Sequence, residues 1–288
     1  MDLDSIFDKI EYLQNNSYDF VAIYPYGSMN YNLDVKESDG YEYKSDVDTV
    51  AFVLPSLEDV IRNRMPVSKT IVMDNDDHID VKDVRLMLDL FKKANPSYLE
   101  LLYSACCGVD NYCEYKDKFL KKIGSMKEDI VFMNPKAFLN AMLGTMYQKQ
   151  KNMFKTTTNY GEEVEKYGYS SKDYHHIKRY ERMLYIVGSQ VSEYEPRDFK
   201  KALYIDDSNE RDYLLSIKCT PGLYGKEYVE KDVEEIMSEA KDYVLDLIYK
   251  GSSGEFDLSF NNETYKQLEE AVYDLVKSSI IEQIKATD

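Results

Sequence analysis

The sequence predicts an α+β protein, in which a small β-sheet formed by the first third of the chain precedes a long helical region. Short β-type runs cover positions 20–24 (F-V-A-I-Y), 49–54 (T-V-A-F-V-L), 67–73 and 78–83. After position 134, apolar residues recur at helical spacing, first at Phe138, Leu139, Met142, Leu143 and Met146. We therefore expect a sheet domain at residues 1–125 and a helical domain at residues 126–288 that forms the other wall of a cleft.

Composition limits the function classes. The 288 residues are 43% apolar and 31% charged, as in ordinary globular proteins, and the four cysteines lack the paired spacing of zinc sites. No apolar run is long enough to span a bilayer and the first residues are acidic, so we expect a cytoplasmic protein with reduced thiols and no membrane partner. A net charge of −17 argues against broad nucleic-acid binding.

The charge is unevenly distributed. Residues 136–205 carry twelve Lys and Arg against eight Asp and Glu. This excess predicts either a basic surface that faces an acidic pocket or a set of solvated helix faces.

The first predicted elements are a helix and a strand that ends in a glycine turn. Residues 4–13 have helical spacing, so a helix capped by Asp4 or Ser5 should cover the sheet. The strand at 20–24 leads to Gly27 and Ser28. Glycine lets the backbone approach a bulky anion, and the amides after it, with the Ser28 hydroxyl, can donate to phosphate oxygens. We expect this turn to hold the triphosphate of a nucleotide.

Three aspartates form the predicted metal site. We expect the second strand to begin near Asp46 and to continue through the run at 49–54, and alternation along it places the Asp46 and Asp48 side chains on one side. In the run at 78–83, Asp80 points away from Ile79 and Val81. Carboxylates are ligands of hard divalent cations, so the three aspartates predict a two-metal site for in-line displacement. The alternative for each aspartate is an ordinary solvated strand end.

Capping residues mark several predicted helix boundaries. Asp83 precedes a helical pattern and is expected to be an N-cap. The pairs Asn95-Pro96 and Asn134-Pro135 combine a capping side chain with proline at the first helical position. Residues 74–77 are expected to form a hairpin turn, and residues 251–254 (G-S-S-G) a flexible joint.

A further helix at residues 171–187 combines an apolar face with basic side chains. Its cations are Lys172, His175 when protonated, Lys178, Arg179 and Arg182. His176 lies three residues before Arg179, where it can position the guanidinium or be an ordinary surface histidine.

The order of these motifs resembles a known superfamily. A Gly-Ser turn, Ser-Asp-x-Asp before an apolar strand and a later strand aspartate are similar to nucleotidyltransferases of the superfamily that includes DNA polymerase beta. The segments Y-G-S-x-N-Y-x-L-D, S-D-V-D-T and N-P-S-Y-L-E-L-L-Y resemble the RNA-ligase-associated predicted nucleotidyltransferases of bacteria and phages. The resemblance is specific for residues 20–103 and is weaker at K-D-Y-H-H-I-K-R, residues 172–179.

This resemblance implies a small mixed β-sheet and a defined reaction. A nucleoside monophosphate would move from an NTP, such as ATP, to an acceptor hydroxyl, with release of pyrophosphate. The catalytic, metal-binding residues would be Asp46, Asp48 and Asp80, with Mg²⁺ or Mn²⁺. The nucleotide would contact Gly27, Ser28, Ser45, Lys172 and Arg179.

One departure from the family lies between the glycine turn and the aspartate pair. Ser38-Asp39 comes first but is followed by Gly40, and residues 41–44 intervene before Ser45. Only the second copy enters an apolar strand, so we assign the metal pair to it and interpret the insertion as a loop at the mouth of the site.

The sequence leaves the acceptor and two other function classes open. The acceptor could be an RNA or tRNA end, a protein hydroxyl or a small molecule. A catalytically spent nucleotide-binding regulator would bind NTP without releasing pyrophosphate. An interaction protein would use its acidic surface for a basic partner and its helical half as a homodimer interface.

Overall fold

A computed structural model of the chain describes residues 3–41, 47–73, 77–105 and 113–286. The protein is α+β, with a small mixed sheet and a majority of helical residues, which confirms the predicted fold class. Within these residues, no helix combines the length and the apolar character needed to cross a membrane.

The sheet has four strands in the order β1-β2-β4-β3. Their bounds are β1 Phe20–Pro25, β2 Thr49–Val53, β3 Ser68–Val72 and β4 His78–Asp83. The central pair, β2 and β4, is parallel, whereas β1 and β3 run antiparallel to their neighbours. The sequence predicts a second strand that starts near Asp46, but β2 begins at Thr49, so Asp48 directly precedes it.

Helices make up most of the remaining described chain. Their bounds are α1 Leu3–Asn15, α2 Leu57–Ile61, α3 Met87–Lys92, α4 Pro96–Leu99, α5 Glu114–Ser125, α6 Lys127–Val131, α7 Pro135–Met153, α8 Gly161–Tyr167, α9 Ser171–Val191, α10 Phe199–Leu203, α11 Ser208–Cys219, α12 Lys226–Ser253 and α13 Asn262–Lys285. Short 3₁₀ turns occur at Gly27–Tyr31, Glu37–Asp39, Val84–Leu86 and Glu100–Tyr103.

One face of the sheet forms an apolar core with α1. Leu13 of α1 packs with Ile23, Ala51, Ile79 and Val81 from three strands, all of them buried. Because side chains alternate along each strand, the residues between these positions project to the opposite face. That opposite face carries the candidate site.

Contacts between Cα atoms divide the chain into two compact units, and neither is one continuous stretch. The sheet unit comprises Met1–Asn30, Asp46–Met133 and Asn261–Asp288. The helical unit comprises Tyr31–Ser45 and Asn134–Phe260. The domain division predicted after residue 125 stays a prediction.

Three of the predicted capping side chains have the expected role. The side chains of Asp83, Asn95 and Asn134 each accept a hydrogen bond from a backbone amide of the following helical turn. Proline follows both asparagines as the first helical residue.

Two other local predictions are wrong. The first helix begins at Leu3, so Asp4 and Ser5 lie inside it and do not precede it as caps. Residues 251–253 are the last turn of α12, and Gly254 ends that helix in a left-handed conformation with φ of 89°. This region is therefore a helix terminus, where glycine is favoured because it has no Cβ. The predicted turn at 74–77 lies outside the described residues except for Asp77.

Candidate active site

Asp48 and Asp80 lie on the same face of the sheet. Val50 of β2 is paired with Asp80 of the parallel strand β4, so Asp48, two residues before Val50, lies opposite His78. Adjacent strands are about 4.8 Å apart and two residues along a strand span about 6.6 Å, which places the two aspartate Cα atoms about 8 Å apart. This face is opposite the core formed with α1, as alternation in the 78–83 run predicts.

The Tyr26 side chain interacts electrostatically with Asp48, with Asp80 and with a third carboxylate, that of Glu100. The Tyr26 amide donates to the Asp48 carbonyl oxygen at 3.0 Å, which continues the antiparallel pairing of β1 with β2 and places Tyr26 on the face of Asp48. Burial raises the pKa of the Tyr26 phenol, and the charges of Asp48, Asp80 and Glu100 raise it further. The phenol therefore stays protonated and can donate a hydrogen bond to an anionic ligand.

Glu100 holds the glycine turn. The Gly27 amide donates to Glu100 Oε1 at 3.0 Å, and the glutamate is buried with only 1% of its surface exposed. Gly27 has a φ of 80°, a left-handed conformation that glycine adopts without steric cost. Its amide is thus engaged by a carboxylate, and Ser28 follows it in the 3₁₀ turn Gly27–Tyr31.

Each of the two described aspartates has a polar neighbour on this face. His78 Nδ1 lies 3.2 Å from Asp48 Oδ1, and about a third of the Asp48 side chain is exposed. The Thr70 hydroxyl donates to Asp80, its partner across β3 and β4. Solvent access to Asp48 leaves room for a ligand at this edge.

The remaining residues predicted for this corner, Asp46 and Ser45, lie outside the described residues. Among those described, no three His, Cys, Asp or Glu side chains are grouped closely enough to hold a metal ion. Whether a cation fits this corner is therefore judged from the chemistry of its two described carboxylates. Asp48 and Asp80 supply carboxylate oxygens, the ligands that Mg²⁺ and Mn²⁺ prefer.

Lys172 and Arg179, the predicted phosphate contacts, belong to the helical unit. Lys172 Nζ lies 5.3 Å from the centre of the Tyr160 ring. Arg179 is 3% exposed, and its guanidinium carbon lies 3.7 Å from the Tyr31 ring centre and 4.4 Å from that of Tyr180. Stacking on aromatic faces stabilises a buried guanidinium, so Arg179 has a structural role inside its own unit. Its predicted contact with phosphate stays a prediction.

The other predicted cations of α9 are engaged or neutral. Lys178 Nζ lies 3.3 Å from Asp232, and Arg182 Nε lies 2.9 Å from Glu210. Burial lowers the pKa of His175 to about 3, so this side chain is uncharged at neutral pH. These pairings favour ordinary helix faces over a basic surface on α9.

The first Ser-Asp copy also has a structural partner. Arg211 holds Asp39 through two hydrogen bonds of 3.0 and 2.8 Å, which lower the pKa of the carboxyl to about 2. Asp39 therefore forms an ion pair with Arg211 within the helical unit. Residues 42–44 of the insertion lie outside the described residues.

Sequence reasoning missed Tyr26, His78 and Glu100. Alternation could have found His78, because it lies two residues before Asp80 on the same strand. Tyr26 directly precedes the predicted glycine turn, and Glu100 lies in the L-E-L-L segment that resembles the family. Neither position has a pattern that distinguishes a site residue from a core or surface residue.

No protein-family model, curated protein or solved structure matches this chain.

Proposed function

We propose that the chain is a metal-dependent nucleotidyltransferase, which moves a nucleoside monophosphate from an NTP to an acceptor hydroxyl. The observation that supports this proposal best is the placement of Asp48 and Asp80 on one face of two parallel strands, beside the Gly27 turn. The resemblance of residues 20–103 to nucleotidyltransferases supports the same reaction.

In this proposal the aspartates hold the cations. Asp48 and Asp80, with Asp46, bind Mg²⁺ or Mn²⁺ through carboxylate oxygens. Cations held there would supply charge neutralisation for the polyphosphate and a lowered pKa for the acceptor hydroxyl. Removing them with a chelator should abolish transfer.

The protein's own groups orient the reactants. Glu100 fixes the Gly27 turn, whose following amides and Ser28 hydroxyl donate to phosphate oxygens. The protonated Tyr26 phenol can donate to another. The acceptor oxygen forms a bond to the α-phosphorus, the bond to the β-phosphate breaks, and pyrophosphate leaves. Asp80 takes the acceptor's proton.

The first prediction concerns the two aspartates. Asp48→Asn and Asp80→Asn should each lower transfer at least about 100-fold, since even outer-shell changes at metal sites cost about 10–100-fold. The measurement is incorporation of α-labelled NTP, for each base, into RNA, protein and metabolite fractions of a cell extract with Mg²⁺ or Mn²⁺.

Asp89→Asn is the matched control, because Asp89 is an exposed aspartate of the same unit that pairs with Lys93 on α3. It should transfer label at the wild-type rate. Equal labelling by wild type and Asp48→Asn would contradict the mechanism, and the labelled fraction would identify the acceptor class.

One observation favours a second function, a catalytically spent nucleotide-binding regulator. At the turn that is expected to hold phosphate, the Gly27 amide donates to a carboxylate of the protein itself, that of Glu100. A regulator would show an NTP-dependent rise in the unfolding temperature while releasing no pyrophosphate. An enzyme would release pyrophosphate in proportion to the label transferred.

A further inference from the structure

Lys9 of α1 is a buried lysine with a complete set of partners. Only 1% of the residue is exposed. Its ammonium donates to Asp77 Oδ2 at 3.0 Å, to Ser5 Oγ at 3.1 Å and to the Val47 carbonyl oxygen. An ammonium has three N–H donors, so these acceptors use all of them.

The same network holds both backbone groups of Val47. The Val47 amide donates to Asp77 Oδ1 at 3.0 Å, while the Val47 carbonyl oxygen accepts from Lys9. Ser5 closes the network by donating to Asp77 Oδ2 at 2.5 Å. A residue with its amide and its carbonyl oxygen both bonded to buried side chains has little freedom to rotate.

Val47 directly precedes Asp48. The Val47 side chain is buried, whereas about a third of the Asp48 side chain is exposed, so the two side chains point to opposite faces as alternation along a strand requires. Asp77 directly precedes His78, the β4 residue that contacts Asp48. The network therefore connects α1 to the starts of both strands that carry the candidate aspartates.

We propose that Lys9 is a positioning residue for the metal site: with Asp77 and Ser5 it fixes the Val47 peptide and thereby aims the Asp48 carboxylate at the face of Asp80. The inference rests on the proposed function. Lys9 acts through Asp48 and lies on the α1 side of the sheet, so it does not touch substrate or cation.

A buried ion pair is a costly way to hold a helix on a sheet. Apolar residues of similar volume often stabilise a core as well or better, because two charges must be removed from water. Hydrogen bonds are directional, so a buried network of this kind can hold one backbone orientation next to a ligand.

The test measures Mn²⁺ binding, from the loss of the free-ion electron paramagnetic resonance signal, and nucleotide transfer. Lys9→Met keeps the length of the side chain and removes its charge. It should weaken Mn²⁺ binding at least about tenfold, as expected for a residue that orients a metal ligand. Transfer should recover at higher Mn²⁺ concentration, whereas transfer by Asp48→Asn should not.

A double-mutant cycle separates positioning from general stability. If Lys9 acts through Asp48, the variant Lys9→Met/Asp48→Asn binds Mn²⁺ no more weakly than Asp48→Asn alone. Additive losses would overturn the proposal. Lys121→Met, an exposed lysine of α5 paired with Asp117, is the control and should bind as wild type does.

Lys9→Met leaves Asp77 buried without its cation and can impair folding. Two variants cover that case. Ser5→Ala keeps both charges and should weaken Mn²⁺ binding less than Lys9→Met. In Lys9→Met/Asp77→Asn no buried charge is left uncompensated, and we expect it to fold while still binding Mn²⁺ more weakly than wild type.

The outcomes distinguish the two proposals. If wild type binds Mn²⁺ and transfers nucleotide while the Lys9 variants behave identically, this inference fails and the proposed function stands. If wild type neither binds Mn²⁺ nor transfers nucleotide, the proposed function fails and this inference fails with it.

Discussion

Burial determines the charge of His175 on α9. Its Nδ1 lies 2.9 Å from the Leu214 carbonyl oxygen, and a carbonyl only accepts, so Nδ1 carries the proton of the neutral ring. Burial lowers the pKa of His175 to about 3, although this hydrogen bond partly opposes the shift. Burial also lowers the pKa of the adjacent His176.

The second prediction follows from this shift. Unfolded histidine binds a proton below its ordinary pKa of 6.5, whereas folded His175 does not until the pH approaches 3. The stability associated with neutral His175 is therefore complete above pH 6.5 and is lost as the pH falls from 6.5 to about 3. The loss approaches about 1.4 kcal/mol per pH unit for one such group.

The measurement is the free energy of unfolding by urea between pH 7 and pH 4. His175→Gln should make this dependence on pH less steep, while His176 keeps its own contribution. An unchanged slope in His175→Gln would show that His175 becomes protonated within the folded protein.

At the scale of elements, Gly188 lets α9 and α12 approach closely inside the helical unit. A Cβ built at Gly188 would lie 2.4 Å from the Tyr243 hydroxyl oxygen and 2.6 Å from a carbon of its ring. The Tyr243 ring also contacts Tyr185, with ring centres 4.8 Å apart, so it has little room to move away. The glycine is thus explained by packing between helices.

The third prediction is that Gly188→Ala destabilises the protein by about 1–3 kcal/mol, the usual cost of overpacking a core. Gly144→Ala is the matched control, because a Cβ at that position of α7 meets nothing within 4 Å. Gly144→Ala should stabilise by about 0.5–1 kcal/mol through helix propensity. Unfolding temperatures of the two variants should move in opposite directions, and a fall in both would contradict this explanation.

At the scale of the whole molecule, the last helix belongs to the first unit. Within the sheet unit α13 packs on α5 and α3, with Leu268, Val272 and Leu275 buried. The Asn261 amide donates to the Met133 carbonyl oxygen at 2.8 Å, so the two ends of the unit that flank residues 134–260 are adjacent.

The fourth prediction uses this adjacency. A fragment of residues 1–133 should not unfold cooperatively, because the apolar surface that α13 buries would be exposed to water. Joining residue 133 to residue 261 through a short Gly-Ser linker should restore a cooperative unfolding transition, measured by circular dichroism. Cooperative folding of residues 1–133 alone would show that α13 is dispensable.

Local chemistry made the element types and several boundaries predictable. Apolar runs with β-type patterns predicted the four strands, and Asp83, Asn95 and Asn134 marked helix starts through hydrogen bonds that span only two or three residues. Alternation alone placed Asp80 on the face opposite Ile79 and Val81. Each of these inferences depends on neighbours in the chain.

The sequence by itself determined the α+β fold class, the glycine turn and the strand face on which Asp80 lies, because side-chain periodicity and backbone sterics act over a few residues. Tertiary structure alone decided that Asp48 and Asp80 share one face, that Glu100 holds Gly27, that Lys9 holds Val47 and that His175 is neutral. These features join residues tens of positions apart. Strand order, burial and charge depend on which distant segments exclude water from a group, and no local pattern encodes that choice.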